Sequence, residues 1–266
     1  MRQGAQMSGR VVGIYRHPVK GFTPEPLQTT ALTVGRGLAF DRLYAVENGP
    51  SGFDPGAPVF IPKQKFTVLA NLPRVAAART RFDEAAATLE ATAPGLPPLS
   101  ADLETAAGRA ALETWLGQLL GEDARRPLKV IKAPDAWRFT DHPQGHVSII
   151  NLASVRDLGE RMGARLDPLR FRANLYVEGW PAWAENDWTG RALRLGQAGA
   201  SVFKSITRCA AIHVDPTRAE RDLDVTKALF DNYGHMFCGL YVKVTADGAV
   251  SVGDAVGAPA AAEAAP

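Results

Sequence analysis

The sequence has few cysteines, little net charge and no long apolar run. Two cysteines, Cys209 and Cys238, are too few for a disulfide framework, and they exclude a four-cysteine iron–sulfur cluster within this chain. The net charge is only +2, so nucleic acid is not an expected partner. No apolar run reaches the roughly 20 residues that cross a bilayer, so no membrane association is expected and we predict a cytoplasmic protein.

The signature motifs of several large enzyme classes are also missing. The chain contains no G-x-G-x-x-G after a strand, no G-x-x-x-x-G-K, no G-x-S-x-G elbow and no H-E-x-x-H. No motif therefore supports a dinucleotide-dependent, nucleotide-dependent, serine-hydrolase or zincin function. What remains is a chain of 266 residues with 46% hydrophobic side chains, which is the composition of a globular protein with a sizeable core.

Short apolar or alternating segments dominate the chain, and they predict a mostly β protein with a few helices (α+β). Helical spacing of leucines and caps predicts the exceptions. The predicted elements that bear on function are a helix over 105–121, a helix from Asn151 or Ser154 to about Gly163, a short helix over 226–233, a strand over 210–214, a hairpin turn at Asp247-Gly248, and a polar loop over 134–145 that would line a site.

One possible metal site is suggested by composition alone. Cys209, His213, His235 and Cys238 supply two thiols and two imidazoles, a set that zinc can use. If 209–214 is a strand, Cys209 and His213 lie about 13 Å apart at roughly 3.3 Å per residue, which is too far to share an ion. We therefore do not predict a zinc site.

Several short motifs follow one another along nearly the whole chain. They are Y-R-H-P-V-K-G at 15–21, G-L-A-F-D-R at 37–42, R-F-R-A-N-L at 170–175, E-N-D-W-T-G at 185–190, T-R-C at 207–209 with Asp215-Pro216, and V-G-D at 252–254. In this order they resemble the MOSC superfamily of molybdenum-cofactor proteins. The two-part layout is similar to that of the mitochondrial amidoxime-reducing component and its bacterial relatives.

The resemblance implies a fold and a division of the chain. The expected fold is a MOSC-type β-barrel with a packed N-terminal β-barrel-like domain. We predict an N-terminal β-rich domain over 9–130, a MOSC domain over 131–257 and a disordered tail over 258–266.

The resemblance also implies an activity. It predicts a molybdopterin-type molybdenum cofactor and the two-electron reduction of N-hydroxylated small molecules. Because this chain cannot build an iron–sulfur cluster, the electrons would come from an external donor protein.

Cys209 is the residue that the resemblance assigns to the metal and to catalysis. Molybdenum in a pterin cofactor already has sulfur ligands, and a protein thiolate supplies one further soft ligand. A neighbouring cation favours the thiolate, and Arg208 directly precedes Cys209, although neighbouring strand residues point to opposite faces. Cys238 has no charge beside it and is predicted to belong to the core.

The cofactor also carries an anionic phosphate, which lysine and arginine bind well. Two positions depart from the family pattern, since Gly21 stands where many relatives have serine and Ala173 where they have proline. The candidate cofactor-binding residues are Lys20, Gly21, Arg42, Asn151, Arg172, Asn174 and Arg208.

Two other functions stay open at this stage. Cys209 could carry a persulfide and pass sulfur onward, since some MOSC domains are attached to cofactor sulfurases, or the chain could carry the cofactor without catalysis. Several side chains are further candidates for acid or proton-donor roles. For the three acidic ones structural roles in turns and loops are favoured, and for the two histidines the spacing does not demand such a role. These candidates are Glu185, Asp187, Asp215, His142 and His146.

Overall fold

The computed structural model describes residues 8–135, 137–144 and 147–257. The predicted tail at 258–266 and the candidate His146 lie outside these ranges. The helices are α1 Ala106–Leu120, α2 Leu152–Met162 and α3 Val225–Tyr233. The strands are β1 Ser8–Arg16, β2 Glu25–Leu27, β3 Thr29–Thr33, β4 Gly37–Leu38, β5 Tyr44–Asn48, β6 Arg79–Asp83, β7 Thr88–Thr92, β8 Leu99–Asp102, β9 Leu128–Lys132, β10 Val147–Asn151, β11 Leu175–Glu178, β12 Ala192–Leu195, β13 Ala198–Thr207, β14 Phe237–Ala246, β15 Gly248–Ser251 and β16 Ala255–Gly257.

Seven strands close into a barrel in the order β1-β11-β10-β14-β13-β12-β16, and β16 returns to β1. Neighbouring strands are antiparallel except β10 and β11, which are parallel. On β14 the buried Leu240 and Val242 alternate with the more exposed Tyr241 and Lys243. Since successive strand residues point to opposite faces, one set fills the barrel and the other lies on its outside.

The first half of the chain builds a second β-rich unit. Strands β5 and β9 pair, and β6, β7 and β8 form a three-stranded sheet. Helix α1 packs on this unit, and its Trp115 and Leu116 join Tyr44, Phe82 and Leu103 in one buried cluster. The predicted fold class, mostly β with a few helices and a barrel, is confirmed.

Each α-helix begins at a polar cap and ends at a glycine. The side chains of Thr105, Asn151 and Asp224 accept hydrogen bonds from backbone N–H groups of the first turn. Gly163 and Gly234 follow α2 and α3 in the left-handed conformation, which glycine adopts without steric cost. In the described part of the chain, no helix is long and apolar enough to cross a membrane.

Two local predictions are wrong. Residues 210–213 form a 3-10 helix rather than a strand, with Cys209 at its N-terminus. The Asp247-Gly248 turn does not make a hairpin, because β15 pairs with β3 instead of β14. The side chain of Asp247 accepts a hydrogen bond from Val34 N (2.7 Å), which ties the turn to the strand on which β15 pairs.

The predicted domain limits stay a prediction. Strand β1 comes from the first predicted domain, yet it closes the barrel formed by strands of the second. The two parts therefore share a sheet.

Candidate functional site

A single cavity collects most of the candidate side chains. It lies on the outer face of the barrel, where Ser148 of β10 and Tyr241 of β14 are paired neighbours. Loops from the first half of the chain form the opposite wall. The residues that line the cavity and are used below are Lys20, Gly21, Arg42, Lys63, Thr140, Asp141, Ser148, Arg170, Phe171, Arg172, Asn174, Arg208, Cys209 and Tyr241.

Of the eight residues predicted from the sequence, seven line this cavity and Asn151 does not. Asn151 is fully buried at the end of β10, where it caps α2. Its amide nitrogen donates to Pro181 O (2.8 Å) and to the Glu185 carboxylate (2.7 Å). Burial raises the pKa of Glu185, while its bonds to Asn151 and Ser154 oppose the rise. Asn151 and Glu185 thus fasten α2 to the 180–187 segment.

Cys209 faces a lysine that the sequence does not point to. Lys63 Nζ lies 3.1 Å from Cys209 Sγ, although the two residues are 146 positions apart. Lys63 belongs to a 3-10 helix, Lys63–Lys65, whose following residue Phe66 is buried against Phe139 at 5.5 Å. Burial acts to lower the pKa of Lys63, but Asp141 and Cys209 outweigh it and the pKa is raised. The ammonium therefore places a hydrogen-bond donor and a positive charge directly beside the sulfur.

Asp141 links two lysines in the same wall. It forms an ion pair with Lys20, whose side chain is 4% exposed, and it lies 3.8 Å from Lys63 Nζ. Lys20 also donates to Phe139 O (2.9 Å). Burial acts to raise the pKa of Asp141, but Lys20 and Lys63 hold it well below its usual value. Burial lowers the pKa of Lys20, and Asp141 opposes that effect.

Arg42 and Arg172 stand side by side. Both have left-handed backbone conformations, and Arg42 Nη2 donates to Arg172 O (3.1 Å) while Arg42 Nη1 pairs with Asp41. Arg172 Nη2 donates to Phe22 O (2.8 Å) and lies 3.1 Å from His17 Nδ1. Burial, followed by repulsion from Arg42, lowers the pKa of Arg172 to about 10.

Asn174 is in the wall, but its side chain is committed to the scaffold. Its Oδ1 accepts from the backbone N (3.1 Å) and the hydroxyl (3.0 Å) of Ser148, and its Nδ2 donates to Tyr15 O (3.1 Å). It therefore joins β10, β1 and the segment before β11. Little of its hydrogen-bonding capacity faces the cavity.

Two of the three guanidinium nitrogens of Arg208 donate hydrogen bonds to backbone carbonyl groups. Its Nε donates to Cys238 O (2.7 Å), its Nη1 donates to Phe171 O (2.8 Å), and its guanidinium lies over the Phe171 ring at 5.2 Å. Its Nη2 is buried and has no hydrogen-bond partner among the described residues. A buried charged donor without a partner is costly, so this nitrogen favours an acceptor that enters the cavity.

Positive charge dominates the lining. Six lining residues are cationic and one, Asp141, is anionic. Arg170 is neutralised from outside the cavity, since it donates to Asp222 (2.7 and 2.8 Å) and to Asp215 (3.1 Å). Asp215 also accepts from the backbone of Thr217, as a turn residue does. The remaining excess suits an anionic ligand.

The other sequence candidates have mixed locations. The predicted loop over 134–145 supplies Thr140 and Asp141 to the cavity wall. His142 packs against Phe203 and Tyr241, with ring centroids 5.1 and 5.9 Å away. The reason given against zinc was wrong, because 210–213 is not a strand. In the ranges that the structure describes, no group of three His, Cys, Asp or Glu side chains could hold a metal ion.

The two thiols are expected to differ sharply in reactivity. Cys209 is partly exposed in the cavity, whereas Cys238 is fully buried, and burial raises the pKa of Cys238 to about 12. Only the thiolate reacts with a disulfide reagent, so native metal-free protein should release about one equivalent of thionitrobenzoate rapidly. Denatured protein should release two, since the chain has two cysteines. Two rapid equivalents from native protein would contradict the burial of Cys238.

Because His17 is buried, we expect the free energy of unfolding to fall in mild acid. This histidine is fully buried, and burial followed by repulsion from Arg172 and Arg42 lowers its pKa well below 6.5. The unfolded chain therefore binds a proton that the folded chain does not. The contribution of neutral His17 to the free energy of unfolding is fully present above about pH 6.5. It is lost as the pH falls toward the pKa of His17 in the folded state, by at most about 1.4 kcal/mol per pH unit.

Urea unfolding between about pH 7.5 and 5.5 measures this loss. His17→Gln should flatten the dependence, because glutamine keeps a polar side chain without the titration. An unchanged slope in the variant would assign the effect to other groups.

Known families match both halves of the chain. Residues 137–257 match the MOSC domain, and residues 8–126 match the MOSC N-terminal beta barrel domain. The chain is similar to the molybdenum cofactor sulfurase of Caenorhabditis elegans, at 31% identity over 135 residues, which is 49% of this chain and 18% of that protein. The enzyme of Caenorhabditis briggsae is 33% identical over 133 residues, with 48% and 18% covered. The matched part thus spans about a fifth of these curated relatives.

Solved structures show more distant similarity. The YuaD protein from Bacillus subtilis is 13% identical, with 95% of this chain and 96% of that chain covered and a TM-score of 0.49. YiiM from Escherichia coli is 21% identical, with 47% and 59% covered and a TM-score of 0.33.

Proposed function

The chain belongs to the MOSC-domain family, and from that premise we propose that it binds a molybdopterin-type molybdenum cofactor in the cavity. Cys209 is the proposed protein ligand to the metal. The observation that carries the proposal is the surroundings of the Cys209 thiol. The Lys63 ammonium lies 3.1 Å from its sulfur, and the cavity wall holds more positive than negative charge. The thiolate is a soft ligand that suits molybdenum, and the positively charged wall suits the anionic phosphate of such a cofactor.

The donor set fits an anionic group. Lys20, Arg42 and Arg172 line the wall near Gly21, and Arg208 Nη2 is a buried donor that has no hydrogen-bond partner among the described residues. These four cations are the proposed phosphate and pterin contacts, with the backbone at Gly21 beside them. Asn174 would shape the wall through Ser148 rather than bind strongly, since its amide is already occupied.

We further propose that the chain reduces N-hydroxylated small molecules. When bound, the cofactor supplies a two-electron redox centre, and an external donor protein provides the electrons. The chain holds the thiolate, orients the anionic part and supplies protic groups at the cavity. Tyr241 and Asp141 line the cavity beside Lys63, and the pKa of Tyr241 is raised to about 12 by burial and by Asp141. The phenol therefore stays protonated at neutral pH.

Sulfur transfer is a second candidate, favoured by the similarity to molybdenum cofactor sulfurases. In this function the Cys209 thiolate takes the outer sulfur of a donor persulfide, from which a thiol leaves. It then hands that sulfur to a nucleophilic acceptor, and the Cys209 thiolate is the leaving group. A partly exposed thiol beside Lys63 also suits that role. A carrier that binds the cofactor without turnover is the third candidate.

The deciding experiment measures molybdenum and pterin in protein purified from a host that makes the cofactor. We expect nearly one metal per chain, protection of Cys209 from the thiol reagent, and reduction of benzamidoxime with a chemical electron donor. Metal without turnover of any N-hydroxylated compound would favour the carrier. Protein that lacks both metal and pterin would overturn the cofactor proposal, and a sulfur adduct on Cys209 in mass spectra would then support sulfur transfer.

A further inference from the structure

Three aromatic rings form a platform at the edge of the cavity. Phe203 and Tyr241 lie with centroids 5.7 Å apart and planes inclined by 11°. His142 packs on both of them. None of the three belongs to a motif that carries the family resemblance. We call His142, Phe203 and Tyr241 the aromatic platform.

A β-bulge creates this platform. In the β13–β14 ladder Val202 pairs with Val242 and Lys204 pairs with Tyr241, so Phe203 is the extra residue. Bulges re-aim side chains beside functional sites. Here Phe203 and Lys204, although consecutive, are both partly exposed, while Val202 is buried in the barrel.

Tyr241 joins the platform to the cavity. It pairs with Ser148 on one side and with Lys204 on the other, so the row Ser148, Tyr241, Lys204 runs across three strands on the outside of the barrel. Ser148 and Tyr241 line the cavity, and Lys204 lies beyond its edge. Cys209 lines the same cavity, so a ligand that contacts its sulfur can extend to the platform through Tyr241.

The platform also has uncompensated positive charge. Lys243 Nζ lies 5.8 Å from the Phe203 ring centroid. Burial, followed by the charges of Lys204 and Lys243, lowers the pKa of His142, which favours the neutral ring. Among the ion pairs formed by the described residues, none includes Lys204 or Lys243.

We propose that the aromatic platform binds a planar aromatic ring that carries an anionic group, with the ring against Phe203 and Tyr241 and the anion near Lys204 and Lys243. Stacking supplies the first contact and charge the second. Where the proposed function holds, this makes carboxylated or phosphorylated aryl N-hydroxy compounds the preferred substrates. A nucleotide attached to the cofactor is the other source of such a group.

Calorimetric titration of the purified protein tests the platform directly. The probes are 4-carboxybenzamidoxime, uncharged benzamidoxime and cytidine 5′-monophosphate. We expect the carboxylated probe to bind about tenfold more tightly than the uncharged one, and this preference to shrink as salt is raised. The two anionic probes distinguish a substrate site from a nucleotide site by which of them binds more tightly.

Variants separate stacking from charge. The double variant Lys204→Met, Lys243→Met should lose the tenfold preference and keep its affinity for benzamidoxime. Phe203→Leu should weaken all the aromatic probes about fivefold or more. Lys129→Met, an exposed lysine on β9, is the matched control and should change nothing.

The outcomes are independent of the metal assay. Anion preference that depends on the two lysines supports the platform even in protein without molybdenum, in which case only the proposed function fails. Equal affinity for charged and uncharged probes in the parent overturns the platform, whatever the metal content. Equal loss for every probe in the lysine variant also overturns it, since that marks a structural effect.

Discussion

Cys209→Ala protein is expected to retain less than about a tenth of the parent's molybdenum and to lose reduction of benzamidoxime in proportion. Removal of the thiolate deletes the proposed protein ligand, while the cationic wall stays in place. Weak, salt-sensitive retention of the pterin is therefore expected even as the metal is lost. Elemental analysis, pterin fluorescence after oxidation and turnover with a chemical electron donor measure the three quantities.

Cys238→Ala is the matched control for this variant. It removes the same sulfur from the fully buried cysteine, whose neighbours are apolar core residues. We expect it to keep its molybdenum and to lose about 1 kcal/mol of unfolding free energy, because a small buried group disappears. If both variants lose metal to the same extent, the cause is a destabilised fold. If Cys209→Ala keeps its metal, Cys209 is not the ligand.

Local signals explain the parts of the fold that could be predicted. Thr105 and Asn151 are N-caps with helix-forming residues after them, and the glycines after α2 and α3 adopt the left-handed conformation that ends a helix. The alternation on β14 likewise identifies which residues fill the barrel. These signals depend on neighbours within a few positions, so a single sequence contains them.

The wrong predictions concern segments whose secondary structure or strand pairing depends on contacts with residues distant in the sequence. The apolar run at 210–214 is compatible with a strand or a helix, and periodicity cannot distinguish the two in so short a segment. The Asp247-Gly248 dipeptide is typical of a hairpin turn. Strand β15 nevertheless pairs with β3 instead of with the preceding strand β14. Turn residues restrict the local backbone and leave the choice of partner strand to tertiary packing.

The same limit applies to the site. Seven candidate residues were found through motif resemblance, and each lies in the cavity wall. Lys63 and Asp141 belong to none of these motifs, yet Lys63 is the side chain that contacts the sulfur. Its position depends on Phe66 packing against Phe139, a contact between loops more than 70 residues apart. Asn151 shows the reverse case, since its capping role was as visible in the sequence as its candidate binding role.

Gly21→Ser, which restores the residue of the family pattern that this segment resembles, is expected to destabilise the protein by about 3 kcal/mol or more. Gly21 has φ of +90°, and a Cβ added there would lie 2.1 Å from Thr67 O. Thr67 cannot retreat easily, because it is fully buried and its N–H donates to Val46 O (2.9 Å). Urea or thermal unfolding of the variant beside the parent measures the loss.

Gly35→Ala separates the two causes of this loss. Gly35 also has a left-handed backbone, with φ of +75°, but beyond its two chain neighbours no heavy atom of the described residues lies within 4 Å of an added Cβ. It should cost only about 1 kcal/mol, from backbone strain alone. A loss at position 21 no larger than that at position 35 would contradict the steric argument and show that the 66–68 segment moves aside.

The position of Gly21 makes this test informative about the site as well as about stability. Lys20 on one side pairs with Asp141, and Phe22 on the other accepts a hydrogen bond from Arg172 through its carbonyl oxygen. A side chain at position 21 would push this turn away from Thr67 and shift both cations together. We therefore expect Gly21→Ser to weaken retention of the anionic cofactor even in the folded fraction. In this chain glycine at position 21 permits the close approach of two loops, which places Lys20 and Arg172 in one wall.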